Sequence, residues 1–190
     1  MSLDIGTGDG RLPYTLARQA PERLFVGLDA NAAGLRELSG RAFRAGLANV
    51  LYVRAAVEDL PPPLAGLADS VTIVLPWGSL LATVALPAVH LLRGIRALCQ
   101  PGAALTVVLG IDPDRDRSEA RRLGLALLVH HDPVSHLSAG YRAAGFTLTS
   151  VRQLRPEELA LWPSTWARRL ARQHSRFLYQ LEAKAAGDDR

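Results

Sequence analysis

Six short runs rich in Val, Ile and Leu recur along the chain, at residues 3–5, 24–28, 50–53, 71–75, 104–109 and 146–151. Longer stretches of helical character lie between them, at 13–20, 32–45 and 80–98. Runs that are apolar throughout, with little alternation, suit strands buried on both faces. Strands of that kind alternating with helices predict an α/β fold: a mostly parallel central sheet with helices on both faces. A last strand is expected at 177–183. The 190 residues suit one domain, 1–190, and 48% apolar residues are enough for its core.

Local punctuation agrees with this layout. Pro13 is expected to open the first helix. Pro101-Gly102 ends the helix that runs to about Cys99 and turns into the next strand. Pro61-Pro62-Pro63 excludes regular helix. The segment 111–138 reads as a polar loop around Asp112, Pro113, Asp114 and Asp116, then a helix from Ser118. No apolar run reaches the ~18 residues that a membrane span needs, and no signal peptide is visible at the start. A single cysteine, Cys99, excludes an internal disulfide and fits a reducing cytoplasm.

The chemistry-bearing signal is Leu3-Asp4-Ile5-Gly6-Thr7-Gly8-Asp9-Gly10. A strand ends beside an acid, and a loop with glycine at every second position enters a helix. Glycines accept backbone angles closed to other residues and let a ligand approach the main chain. The spacing is neither the Gly-x-Gly-x-x-Gly of dinucleotide sites nor a phosphate-binding P-loop. Asp4 and Asp9 repel phosphate but suit a cationic sulfonium–amino-acid ligand. Asp29, at the tip of the second strand, stands where an acid bonds ribose hydroxyls, and the loop Ala55-Ala56-Val57-Glu58-Asp59-Leu60-Pro61 lies where such folds place an adenine ring. Taken alone, the glycines would serve only a tight turn and the acids only as helix caps.

Charge is also uneven. The net excess is +4, and residues 151–176 carry all of it: Arg152, Arg155, Arg168, Arg169, Arg172 and Arg176 against Glu157 and Glu158. A concentrated positive segment suits a polyanion, and a solvated helix face is the plainer reading.

Two further segments, Leu75-Pro76-Trp77-Gly78-Ser79-Leu80-Leu81 and Ser164-Thr165-Trp166-Ala167-Arg168-Arg169-Leu170, join the glycine loop in a specific pattern. With them the chain resembles the kanamycin–apramycin resistance methyltransferases, which modify N1 of adenine-1408 in 16S rRNA. The likeness runs from Leu3 to about Leu181. It implies a Rossmann-like class I methyltransferase fold and S-adenosylmethionine as cofactor. It also implies the 30S subunit as partner, a monomeric state and no metal. By position, Asp4, Gly6 and Gly8 would hold the methionine part and Asp29 the ribose, with Val57 and Glu58 beside the adenine. Trp77 and Trp166 would sandwich the flipped target base, helped by Ser164. Arg168, Arg169, Arg172 and Arg176 would grip RNA. The family's amino-terminal extension is expected to be absent, since only Met1 and Ser2 precede Leu3.

Other readings stay open at this level. Trp77 could cap the core, Trp166 could pack on arginine stems, and Ser164 could be only the N-cap of a helix at 165–171. His130, His131, Asp132 and His136 invite a metal reading that nothing else in the sequence supports. Trp162 acquires no role. The rival functions are a small-molecule methyltransferase, which would not need the arginine cluster, and a non-catalytic RNA-binding relative, which would not bind the cofactor.

Overall fold

In the computed structural model, residues 1–112, 115–123, 133–172 and 176–187 are described, without the side chains of 133–136. Pro113 and Asp114 of the expected polar loop, and His130, His131 and Asp132 of the metal reading, lie outside the described residues, as does the His136 side chain.

Seven strands form one sheet among the described residues. They are β1 (Ser2–Ile5), β2 (Phe25–Asp29), β3 (Val50–Arg54), β4 (Ala68–Val74), β5 (Cys99–Ile111), β6 (Phe146–Gln153) and β7 (Phe177–Ala185). Their order is β3-β2-β1-β4-β5-β7-β6. The first five pair in parallel, and β7 runs antiparallel between β5 and β6. The chain winds outward from β1 to β3 and then crosses back to place β4 on the other side of β1. Open sheets bind ligands at the carboxyl ends of the strands at such a reversal. The loops after β1, β2, β3 and β4 all open there.

The helices are α1 (Arg11–Gln19), α2 (Ala32–Arg44), α3 (Gly78–Ala85), α4 (Val89–Leu98), α5 (Arg117–Leu123), α6 (Pro133–Ala143) and α7 (Thr165–Leu170). Three expectations need correction. The single helix at 80–98 is two helices, α3 and α4, bent by 95°. Pro87 stands in the break; it has no N–H to donate and its ring would collide with the preceding turn of a continuous helix. Pro13 does not open α1 but sits in its first turn, where a missing N–H costs nothing; left-handed Gly10 is the cap. Pro101-Gly102 does not separate helix from strand, because β5 already begins at Cys99 and absorbs the pair in a register irregularity, with Gly102 at φ 77°.

Among the described residues the core forms three clusters. The largest fills the space between β1, β4 and β5 and helices α3, α4 and α6. Cys99 lies inside it, its thiol pushed up to about 11 by burial. A second, smaller cluster unites Leu75, Val108, Leu154, Leu159, Ala167, Leu170 and Leu178. It ties the end of β4 to α7, two regions far apart in sequence. Among the described residues, no single helix is long and apolar enough to cross a membrane.

Candidate functional site

The glycine loop bends sharply back over β2. Gly6, Gly8 and Gly10 have φ of 73°, 60° and 71°, a region that side chains other than glycine disfavour. The N–H groups of Gly6 and Thr7 both donate to the Leu28 carbonyl, at 2.8 and 3.0 Å. A Cβ on Gly6 would stand 2.5 Å from the Leu80 side chain, so α3 packs directly on the loop backbone. Nothing crowds Gly8, which needs glycine for its backbone angle and faces the cavity.

Asp29 locks this loop. Its carboxylate accepts the Gly8 N–H at 2.7 Å and the Asn31 N–H at 2.8 Å. A carboxylate offers about four acceptor positions, so lone pairs remain for ligand hydroxyls in the cavity it lines.

Asp4 sits deeper. It is buried, and Thr72 donates to its carboxylate at 3.3 Å. Burial pushes its carboxyl up to about 7, opposed in part by the hydroxyls of Thr7 and Thr72 and reinforced by the negative charges of Asp29 and Asp9. The charges that act on it are thus acidic. A carboxylate in that position gains strongly from a cationic ligand group.

Across from the loop, the backbone after β4 is strained. Leu75 is the one described non-glycine residue with positive φ, at 52°, which costs on the order of 1–3 kcal/mol. Pro76 follows, then Trp77 as N-cap of α3, then Gly78 at φ 60°. This kinked turn holds the Trp77 indole out of the core, 50% exposed. Trp166, in the first turn of α7, is 43% exposed. Neither tryptophan caps the core. The Arg169 guanidinium lies 5.5 Å from the Trp166 ring centroid, a cation–π contact, so the packing of Trp166 against an arginine is real. Ser164 is the N-cap of α7, its hydroxyl accepting the Ala167 N–H at 3.4 Å.

Nine of the residues singled out in the sequence line one cavity of about 580 Å³: Asp4, Gly6, Gly8, Asp29, Val57, Glu58, Trp77, Ser164 and Trp166. They come from five separate stretches of chain. Leu75 and Trp162 are among the further lining residues, and sequence reasoning gave neither of them a role. A residue before proline is ordinarily extended, so nothing local announced the Leu75 kink. Trp162 offered only its position two residues before the α7 cap.

The arginine cluster is not one surface. Arg168, Arg169 and Arg172 are exposed. Arg152 is bound by Glu158 at 2.7 Å, and Arg155 faces the same acid at 3.7 Å. Arg176 corrects the sequence expectation most clearly. Its side chain is only 5% exposed, paired with Asp116 at 2.6 Å and donating to the Gly110 carbonyl at 3.0 Å. A guanidinium so enclosed ties the end of β5 to the start of β7 and presents no charge to a polyanion.

A parallel sheet reversing at β1 and β4, with a non-phosphate glycine loop and an acid at the tip of β2, defines the Rossmann-like class I methyltransferase fold. Within that class, residues 1–185 match the family model described as NpmA, 16S rRNA (adenine(1408)-N(1))-methyltransferase. The chain belongs to this family. A 16S rRNA (adenine(1408)-N(1))-methyltransferase of Streptoalloteichus tenebrarius is 39% identical over 184 residues, 92% of this chain and 82% of the relative. One from Escherichia coli is 34% identical over 177 residues, 89% and 80% of the two chains. Among solved structures, the aminoglycoside resistance methyltransferase NpmB1 superposes with a TM-score of 0.83 at 41% identity, covering 97% of this chain and 86% of that one. A mutant 16S rRNA (adenine(1408)-N(1))-methyltransferase from Catenulisporales acidiphilia, with the cosubstrate SAM, gives 0.84 at 31% identity, covering 100% and 87%.

Proposed function

We propose that this chain transfers a methyl group from S-adenosylmethionine to N1 of adenine-1408 in 16S rRNA, as a monomer acting on the 30S subunit in the cytoplasm. The observation that carries the reading is the pair of half-exposed tryptophans, Trp77 and Trp166, lining the same cavity as the glycine loop and Asp29.

The residues fit the cofactor. Asp4 is a buried carboxyl among acidic neighbours, matched to an ammonium group. Gly8, which nothing crowds, leaves room for a close approach of the amino-acid part to the backbone, and Gly6 lines the same wall with Leu80 packed behind it. Asp29 keeps acceptor capacity for two ribose hydroxyls. Val57 offers a buried apolar surface to the adenine ring, with Glu58 at its edge. When bound, S-adenosylmethionine supplies an electrophilic methyl on a cationic sulfur.

The target nitrogen has a lone pair, so no side chain has to remove a proton before methyl transfer. The chain's task is positioning. Extruding the base from RNA costs a few kcal/mol. Trp77 and Trp166 offset this by stacking, worth roughly 1–3 kcal/mol per base. As positive charge develops on the adenine, the indole faces stabilise it. Ser164 holds the start of α7 and so the orientation of Trp166. Arg168, Arg169 and Arg172 bind phosphates outside the cavity. The product has a positive charge and a blocked pairing edge, and an aminoglycoside that hydrogen-bonds that edge is refused.

The test is primer extension. Isolated 30S subunits are incubated with the protein and S-adenosylmethionine, and the 16S rRNA is reverse-transcribed. A single stop at adenine-1408 is expected, because a methyl on N1 blocks pairing. Read-through on fully folded, cofactor-bound protein would overturn the proposal.

A further inference from the structure

Trp162 has no role in the chemistry above, yet it occupies a singular place. It lies in the link between the 3-10 helix Pro156–Leu161 and α7. Its carbonyl accepts the Ser164 N–H at 2.8 Å, so the residue that caps α7 is tied to Trp162. Its side chain packs against the second core cluster, which contains strained Leu75 on one side and Ala167 and Leu170 of α7 on the other. Leu75 stands two residues before Trp77, and Ala167 follows Trp166. The cluster therefore joins the supports of both exposed tryptophans.

Trp162 also borders two cavities. One is the 580 Å³ cavity just described. The other, of about 250 Å³, is lined by Thr72, Arg152, Glu158, Leu161 and Gln180. Polar groups there are already engaged, since Arg152 donates to Glu158 at 2.7 Å and to Gln180 at 2.8 Å. Leu12 of α1 and Trp162 both line the two spaces, and Trp162 is the one of the pair that also packs on the cluster beneath α7, so it forms the α7 side of the wall between them.

We infer that Trp162 is a positioning residue for methyl transfer: it closes the cavity wall beside α7 and sets the separation of Trp77 and Trp166. The inference rests on the base-sandwich reading proposed above. With a small residue at 162 the two cavities merge and the seat of α7 on the second cluster loosens. The flipped adenine then has a roomier slot, and its nitrogen spends less time in line with the methyl. Small misplacements of reacting atoms have large effects on rate, up to about 100-fold for 1 Å. Binding of the cofactor, held by the far wall, is untouched, and so is docking of the 30S subunit through exposed arginines.

The experiment measures single-turnover methylation of 30S subunits at saturating S-adenosylmethionine for Trp162→Ala, Trp162→Leu and Trp162→Phe. Cofactor affinity by calorimetry, 30S affinity and melting temperature are measured on the same samples. The rate constant is expected to fall at least about 10-fold in Trp162→Ala and severalfold in Trp162→Leu, with Trp162→Phe near wild type. Cofactor and 30S affinities are expected to stay within about twofold. Wild-type rates in Trp162→Leu overturn the inference, as does a rate loss that comes with weakened cofactor binding or tracks the melting temperature across the three variants. If Trp162→Ala does not fold, Trp162→Leu decides by the same criteria. Trp166→Ala is run in parallel. Full activity in that variant means that the sandwich reading has failed. Loss there beside wild-type activity in the Trp162 variants means that only the present inference has failed.

Discussion

Replacing Asp4 by asparagine separates what this residue does for the ligand from what it costs the fold. Burial raises its carboxyl from 3.8 to about 7. A raised folded-state value means that the folded protein prefers the protonated acid. Its stability contribution is therefore present in full below pH 3.8 and is lost as pH rises through about 7. The shift is about three units, and at about 1.4 kcal/mol per unit the charged form costs the ligand-free fold on the order of 4 kcal/mol at pH 8. That figure is an upper bound, because water entering the open cavity would reduce it. Asparagine has the same shape, can still accept from the Thr72 hydroxyl and carries no charge. Asp4→Asn is expected to raise the melting temperature of ligand-free protein at pH 8, by up to roughly 8–16 °C for a domain of this size, and to change it little near pH 4. The same variant loses the charged partner of the ligand ammonium, worth about 1.5–3 kcal/mol, or on the order of 10- to 100-fold in affinity. Wild-type affinity for S-adenosylmethionine is expected to increase from pH 6 to pH 8 as the carboxyl ionises. Scanning calorimetry at the two pH values and titration calorimetry with S-adenosylmethionine measure both effects. An Asp4→Asn protein that melts lower at pH 8 than wild type, or that keeps wild-type cofactor affinity, would refute this account.

Asp29→Ala is expected to weaken cofactor binding by about 1.5–3 kcal/mol and also to lower the melting temperature, because Gly8 and Asn31 lose their acceptor; unchanged affinity by calorimetry rules out the ribose assignment. Trp77→Ala and Trp166→Ala should each abolish most methylation with little change in melting temperature, and phenylalanine should restore activity better than leucine; full activity in both alanine variants sinks the sandwich. Arg169→Glu should reduce 30S affinity and leave cofactor affinity intact, and binding by the wild type should weaken as salt rises; salt-independent binding counts against an RNA surface on α7. Arg176→Gln should destabilise the fold, on the order of 3–5 kcal/mol, because Asp116 would keep a largely buried charge without its partner; an unchanged melting temperature would restore Arg176 to the candidate RNA contacts.

The architecture was largely legible along the chain. Parallel strands covered on both faces are mostly apolar, and β1 and β2 at the sheet centre show this, whereas edge strand β3 is apolar in sequence yet carries exposed Leu51. The glycines at 6, 8 and 10 are required by local backbone angles, which a sequence records directly. Pro87 is equally visible, yet its 95° consequence is not legible locally, because the residues on both sides of it have helical character. Other features depend on residues brought together from afar. The kink at Leu75 is held by a cluster drawn from β5, β7 and α7. The charge of Arg176 was evident, but its burial depends on Asp116 sixty positions earlier. Trp162 became meaningful only once two cavities lay on either side of it. The amino-acid sequence by itself determined the strand and helix pattern, the glycine turn and the chemical types present, since these follow from preferences acting over a few residues. Which arginines face solvent, which tryptophans leave the core and which side chains share a cavity were decided by the tertiary structure, because burial belongs to contacts between distant segments.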